Sequence, residues 1–172
     1  MLFRSFHPDG SVTVEPLQIG SSTLERLSDS LLLFYTGETR SASSILGDQD
    51  SRTKSNDAEI LANLDRVKEI GIASRDLLVK GDLDTFAEHM HEHWENKRKR
   101  SPGMSTGRVD ELYEVARQNG AIGGKLVGAG GGGFLMVYTR DPARTRSALE
   151  QAGAPETRFS FDIHGCSGDL VR

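Results

Sequence analysis

The chain has 172 residues, of which 36% are hydrophobic, 27% charged and 6% aromatic, the balance of an ordinary globular protein and not of a disordered, collagen-like or disulfide-scaffold chain. That length suits one domain, or half of a larger enzyme. Lys and Arg total 21 against 25 Asp and Glu, a net charge of −4, which leaves no broad basic footprint for nucleic acid.

The start, MLFRSFHPDG, has no apolar run and no small-residue cleavage site, so we expect no secretory signal and a cytoplasmic protein. Ser11 to Glu15 alternates apolar and polar residues and reads as an edge or terminal strand stopped by Pro16. Leu31 to Tyr35, LLLFY, is a continuous apolar run closed by Thr36-Gly37 and reads as a strand buried on both faces. Arg40 to Leu46 can start a short helix. From Asn56 the pattern is helical: Asn56 with Glu59 resembles a capping box, Ile60, Leu64, Val67 and Leu78 recur at helical spacing, and Gly81 is a stop. Asp82 caps a second helix whose stripe is Leu83, Phe86, Ala87, Met90 and Trp94, which predicts antiparallel packing on the first and an end near Ser101-Pro102-Gly103.

Val109, Leu112, Tyr113 and Ala116 predict a shorter helix that Gly120 terminates. Lys125 to Val127 and Phe134 to Tyr138 are apolar arms joined by Gly128-Ala129-Gly130-Gly131-Gly132-Gly133. The uncharged stretch around that loop, Leu126 to Thr139, is too short and too rich in glycine to cross a bilayer. Asp141-Pro142 opens a helix that Gly153 closes, and Arg158 to Ile163 is the expected last strand. Two strands, a helical block, two strands, a helix and a strand favour an α+β fold, a mostly antiparallel sheet with helices on one face. Cys166 is the one cysteine, which forbids an intrachain disulfide and fits a reducing compartment.

The glycine loop is the most specific signal, because so many glycines destabilise any regular element and serve backbone geometry. Gly128, Gly130 and Gly133 match G-x-G-x-x-G, yet a dinucleotide fingerprint needs a helix after the loop and FLMVY reads as strand. The P-loop pattern fails as well, since Leu126 follows Gly124-Lys125. Such a loop can converge N–H groups on an anion or let another segment approach closely.

KLVGAGGGGF, Lys125 to Phe134, resembles the third conserved motif of the GHMP kinases, the family of galactokinase, homoserine kinase and mevalonate kinase. LLLFYTGETRSAS (Leu31 to Ser43), HEHWENKRKRSPGMS (His91 to Ser105) and the C-terminal FSFDIHG resemble its heptose 7-phosphate kinase branch. The resemblance implies that residues 1–172 are a single ferredoxin-like domain of the C-terminal type, with residues 1–16 as the tail of an N-terminal kinase domain acting in cis or in trans. It further implies that the main ATP loop and the catalytic aspartate lie in that other domain, so no catalytic residue is identifiable here. Pro16 to Ser22 only echoes the ATP loop and reads as a connection between a strand and a helix.

The complete enzyme implied by the resemblance transfers the γ-phosphoryl group of ATP, with Mg²⁺, to the anomeric hydroxyl of a heptose 7-phosphate or similar sugar. Gly128, Ala129, Gly130, Gly131, Gly132 and Gly133 would form a wall beside the nucleotide and present N–H groups to phosphate oxygens. Arg40, Ser41 and Ser43 follow a buried strand and begin a helix, which suits a sugar-phosphate, although a capped helix start with a solvated arginine explains the same residues. Lys97 and Arg98 belong to a basic helix end and, by the resemblance, reach the substrate phosphate. His89 and His93 stand four apart on one helical face with His91 between them, but no third metal ligand has a convincing spacing, so no metal site is expected; His91 or His93 could contact sugar hydroxyls. Cys166 has no paired base in view and is expected to be inert. The alternative is a stand-alone ligand-binding or regulatory module derived from such a kinase. An apolar face left by the other domain makes a homodimer an expectation too.

Overall fold

The computed structural model describes residues 1–39, 58–100, 103–128 and 130–161. The chain opens with a two-stranded antiparallel hairpin, β1 (Leu2–Phe6) and β2 (Val12–Pro16), in the register Leu2 opposite Pro16 and Phe6 opposite Val12. Its turn holds because Gly10 takes φ +82° and the Asp9 carboxylate accepts bonds from the Ser11 N–H and hydroxyl at 2.9 and 2.7 Å. The first strand escaped the sequence reading. Leu2, Phe6, Val12 and Val14 stay exposed, Phe6 at 77%.

Helix α1 (Ser21–Ser30) leads straight into β3 (Leu31–Tyr35). The helical block then comprises α2 (Ala58–Lys80), α3 (Leu83–Arg100) and α4 (Gly107–Gln118). As expected, Gly81 adopts φ +76° and Asp82 Oδ1 accepts from the Thr85 N–H at 3.2 Å, so a two-residue turn reverses the chain between α2 and α3. Asn63 bonds to the Asn96 carbonyl, and Arg66 forks onto Glu92 at 2.7 and 3.0 Å, which fixes the antiparallel register. Thr106 caps α4 by accepting from the Val109 N–H at 3.2 Å.

Strands β4 (Ala121–Val127) and β5 (Phe134–Thr139) flank the glycine loop, and α5 (Pro142–Gln151) starts at the Asp141 cap with Pro142 in its first turn. The main sheet has the order β3-β5-β4, all antiparallel. On the free side of β3 the chain returns: Phe34 bridges Glu156, the Tyr35 N–H donates to Pro155 O at 3.0 Å, and the Thr157 N–H donates to Leu33 O at 2.7 Å. Counting this segment, the order is that of a β-α-β-β-α-β ferredoxin-like unit.

The last strand therefore differs from the expected Arg158 to Ile163. Pairing occurs earlier, where Arg146 grips Glu156 by two bonds of 2.9 and 3.1 Å. Phe159 and Phe161 share one side, as their alternation predicts, but their rings meet each other edge-on at 5.8 Å and remain exposed. Residues 162–163 lie outside the described residues, as do the short helix read from Arg40, the Asn56 cap and Cys166.

Period-two alternation gives the sheet two faces. Leu32, Phe34, Leu126, Leu135 and Val137 pack with Val109, Leu112, Tyr113 and Ala116 of α4 and Leu149 of α5. The opposite face is covered too, with Leu31 and Tyr138 against Leu27 of α1, Leu78 of α2 and Leu83, Ala87 and Met90 of α3. Trp94 and Met90 are core, as read. Gly123 is the point of closest approach. A Cβ there would lie 1.8 Å from the Ala87 carbonyl oxygen, so only glycine lets α3 rest on β4. Among the described residues no helix is long and apolar enough to cross a membrane.

Candidate functional site

The loop between β4 and β5 is shaped by backbone conformations that side chains resist. Gly128, Gly130, Gly131, Gly132 and Gly133 all have positive φ, from +75° to +141°. Two of them also face packed chain: a Cβ on Gly130 would lie 2.7 Å from Met104 Sδ, and one on Gly132 would lie 2.6 Å from Glu38 O. The glycines thus serve both local geometry and close approach.

Four contacts fix the loop. At its entrance the ammonium of Lys97, a residue only 8% exposed, donates to Gly128 O. In its middle the Gly131 N–H donates to Met104 O at 2.9 Å, and at its exit the Gly133 N–H donates to Glu38 O at 2.7 Å. The Gly133 carbonyl accepts from both the N–H and the hydroxyl of Thr36, each at 2.9 Å. The Glu38 carboxylate accepts in turn from the hydroxyl of Thr106, which joins the loop to the start of α4. Three stretches far apart in sequence, around Thr36, Lys97 and Gly128, therefore meet at one place.

Lys97 and Arg98 go separate ways. Lys97 turns to the loop, whereas Arg98 pairs with Glu95 at 2.9 Å and Asp110 at 3.1 Å, and Asp110 also accepts from the Ser105 hydroxyl at 2.6 Å. The ion pairs tie the end of α3 to the start of α4. Arg40, Ser41, Ser43 and Ala129 lie outside the described residues. Since Gly131 and Gly133 donate inward, any phosphate would depend on the remaining N–H groups of the loop. Thr36, Glu38, Met104 and Thr106 were not singled out from sequence, although the first three fall inside the segments that carried the family resemblance.

Between α3 and α4 lies a cavity of about 640 Å³, lined by His91, Arg98, Tyr113 and Arg117 among others. His91 Nδ1 and Tyr113 Oη are hydrogen-bonded at 2.7 Å with their rings stacked. Burial, then the nearby Arg117 charge, holds the His91 imidazole below its ordinary pKa, and burial pushes the Tyr113 phenol up to about 12. Both are therefore neutral near pH 7. Among the described residues no three His, Cys, Asp or Glu side chains could hold a metal ion together; His91 turns to Tyr113, while His89 and His93 line a different cavity.

Comparison with known proteins gives the class of this fold and loop. Residues 74–155 match the family model described as GHMP kinases C terminal. That match identifies a GHMP kinase C-terminal domain in this part of the chain.

Among curated proteins it is similar to D-glycero-alpha-D-manno-heptose 7-phosphate kinase of Campylobacter jejuni, 30% identical over 166 residues, which is 95% of this chain and 48% of that protein. It is also 29% identical to the bifunctional fucokinase/GDP-fucose pyrophosphorylase of Arabidopsis thaliana over 150 residues, 87% of this chain and 14% of that protein. The chain thus spans about half, or less, of the length of these relatives. In fold it is similar to L. major mevalonate kinase, solved in complex with R-mevalonate, with a TM-score of 0.71 at 20% identity over 87% of this chain and 43% of that one.

Proposed function

We propose that this chain supplies the C-terminal half of an ATP-dependent sugar-phosphate kinase, whose acceptor is a heptose 7-phosphate or a similar sugar phosphorylated at its anomeric hydroxyl. The observation that carries this reading is the meeting of the Thr36, Lys97 and Gly128 segments at one glycine-rich loop. Phosphoryl transfer needs positioning and neutralisation of charge more than covalent chemistry from the protein. A glycine-rich loop, backed by a buried ammonium, suits the first need and adds to the second.

The remaining loop N–H groups would meet phosphate oxygens of ATP. Bound Mg²⁺ would supply charge neutralisation at those oxygens. No described carboxylate cluster in this chain fits it, so the ion and the catalytic aspartate are assigned to an N-terminal kinase domain present in cis or in trans. The heptose branch is supported by the similarity to the Campylobacter jejuni enzyme along nearly the whole chain. Arg40, Ser41 and Ser43 are kept as the sugar-phosphate contacts of this reading, and Arg98 as a residue that would have to leave Asp110 to serve it. The exposed apolar face of the β1–β2 hairpin is the surface against which the other domain, or a second copy, would pack.

Thermal melts test the reading. Heptose 7-phosphate or ATP·Mg²⁺ at millimolar concentration should raise the melting temperature by mass action. If neither ligand moves it, this chain has no such pocket. Binding without phosphoryl transfer, even with the N-terminal domain supplied, would favour a ligand-binding module derived from a kinase.

A further inference from the structure

Away from the glycine loop, the α2–α3 hairpin lies over the sheet face that carries Lys125 and Met136, and a cavity of about 300 Å³ remains between them. Ile70, Phe86, Met90 and Met136 make its wall apolar, and His89, His93 and Lys125 add polar groups. The space is open to solvent on one side, and an apolar wall left open to water calls for an explanation.

Two independent features of the wall supply one. Gly71 stands in the middle of the 23-residue helix α2, where glycine is less stable than alanine. A Cβ added at Gly71 would meet no atom of the described residues within 4 Å. Packing among the described residues therefore gives no reason for glycine there, and its missing side chain leaves room in the cavity wall. His89 Nδ1 is shut off from solvent and has no hydrogen-bond partner among the described residues. Buried polar atoms are rarely left in that state, and a turn of the imidazole about its Cβ–Cγ bond would bring this nitrogen to a partner in the cavity that His89 lines.

We propose that this cavity is a binding site for a small amphipathic anion, a molecule of the size of octanoate with an apolar body and one carboxylate or phosphate head. The body lies beside Gly71 against Ile70, Phe86, Met90 and Met136, where thioethers adapt to varied apolar shapes. The head meets His89 and the positive charge of Lys125. A polyhydroxylated sugar does not suit such walls, because its hydroxyls would be buried without partners. The proposal does not depend on the sugar-phosphate contacts assigned above.

Octanoate and neutral octanol are the probes, titrated into the intact chain labelled with ¹³C at its methionine methyl groups. Octanoate is expected to bind saturably, to shift the Met90 and Met136 methyl signals while leaving Met1 and Met104 in place, and to bind at least tenfold more tightly than octanol. Gly71→Leu is expected to raise the melting temperature of the free protein by about 2–4 °C and to weaken octanoate at least tenfold. Lys125→Met should weaken octanoate and leave octanol unchanged. Unmoved Met90 and Met136 signals at millimolar octanoate overturn the proposal without recourse to any variant. Equal binding of octanol and octanoate, or full octanoate affinity in a folded Gly71→Leu protein, overturns it as well.

Discussion

The buried ammonium of Lys97 donates to the carbonyl oxygen of Gly128, so one side chain from the end of α3 holds the entrance of the glycine loop. A lysine is seldom buried without a partner of this kind, because its charge would otherwise lose its solvation. The bond makes Lys97 part of the loop's framework.

Removing that ammonium should loosen the loop as well as destabilise the domain. Lys97→Met leaves the Gly128 carbonyl without its charged donor and should cost about 1.5–3 kcal/mol in urea unfolding. Hydrogen exchange at the Gly131 and Gly133 amides, which donate to Met104 O and Glu38 O, should accelerate in the native state. Lys97→Arg keeps a charge on a differently shaped head and should fall between the two. Unchanged exchange in Lys97→Met would show that the loop is held without Lys97.

Within the loop, the glycines should differ in their tolerance of alanine. At Gly128 the positive φ is the obstacle, since a Cβ there meets nothing within 4 Å among the described residues. At Gly132 the same methyl also runs into the Glu38 carbonyl at 2.6 Å, and φ is +141°. Gly128→Ala should therefore cost about 1 kcal/mol, the lower end for a strained backbone position, and Gly132→Ala about 3 kcal/mol or more. Chemical denaturation of the two variants side by side checks the order; equal losses would mean that Glu38 gives way at no cost.

A good part of this architecture was legible in the sequence because its signals are local. The Gly81-Asp82 turn, the Asp141-Pro142 helix start and the strand arms around Gly128 to Gly133 each declare themselves within a few residues. The tethers of the loop do not, since Thr36 and Glu38 reach it from about a hundred residues upstream. Nothing within LLLFYTGETRSAS says which of its polar groups faces a distant glycine. The β1 strand had a usable signal in Pro8-Asp9-Gly10, a turn tripeptide, but Leu2-Phe3-Arg4-Ser5-Phe6 lacks the alternation that marks a strand. Phe159 and Phe161 misled for the opposite reason: their alternation is regular, and the residues that pair with β3 lie just before them.

Gly123 shows how much one unmarked residue can carry. Its Cβ position falls 1.8 Å from the Ala87 carbonyl oxygen and 3.1 Å from the His91 nitrogen, both in the backbone of α3. Backbone cannot swing aside as a flexible side chain can, so Gly123→Ala must push the helix away from β4 along the Ala87 to His91 turn. The loss should reach or exceed the upper end of the roughly 1–3 kcal/mol typical of overpacking. Stability measured by urea unfolding should fall further for Gly123→Ala than for any loop alanine, and a smaller loss would mean that α3 is free to slide.

The pH dependence of stability should report the contact between α3 and α4. His91 is neutral in the folded protein because burial, helped by the Arg117 and Arg98 charges and opposed by Glu95, lowers its pKa from an ordinary value of 6.5. The unfolded chain therefore takes up a proton near pH 6.5 that the folded chain resists, and stability follows the difference in bound protons. The contribution is fully present above that pH and declines as pH falls through about 6.5 toward the lower folded value. Urea unfolding from about pH 8 to about pH 5 should show this decline in the parent, and His91→Gln, which keeps a polar group beside the Tyr113 hydroxyl, should flatten it. An NMR titration of His91 should give a pKa below 6.5. A value above it would place a net favourable interaction with the imidazolium at this contact and reverse the slope.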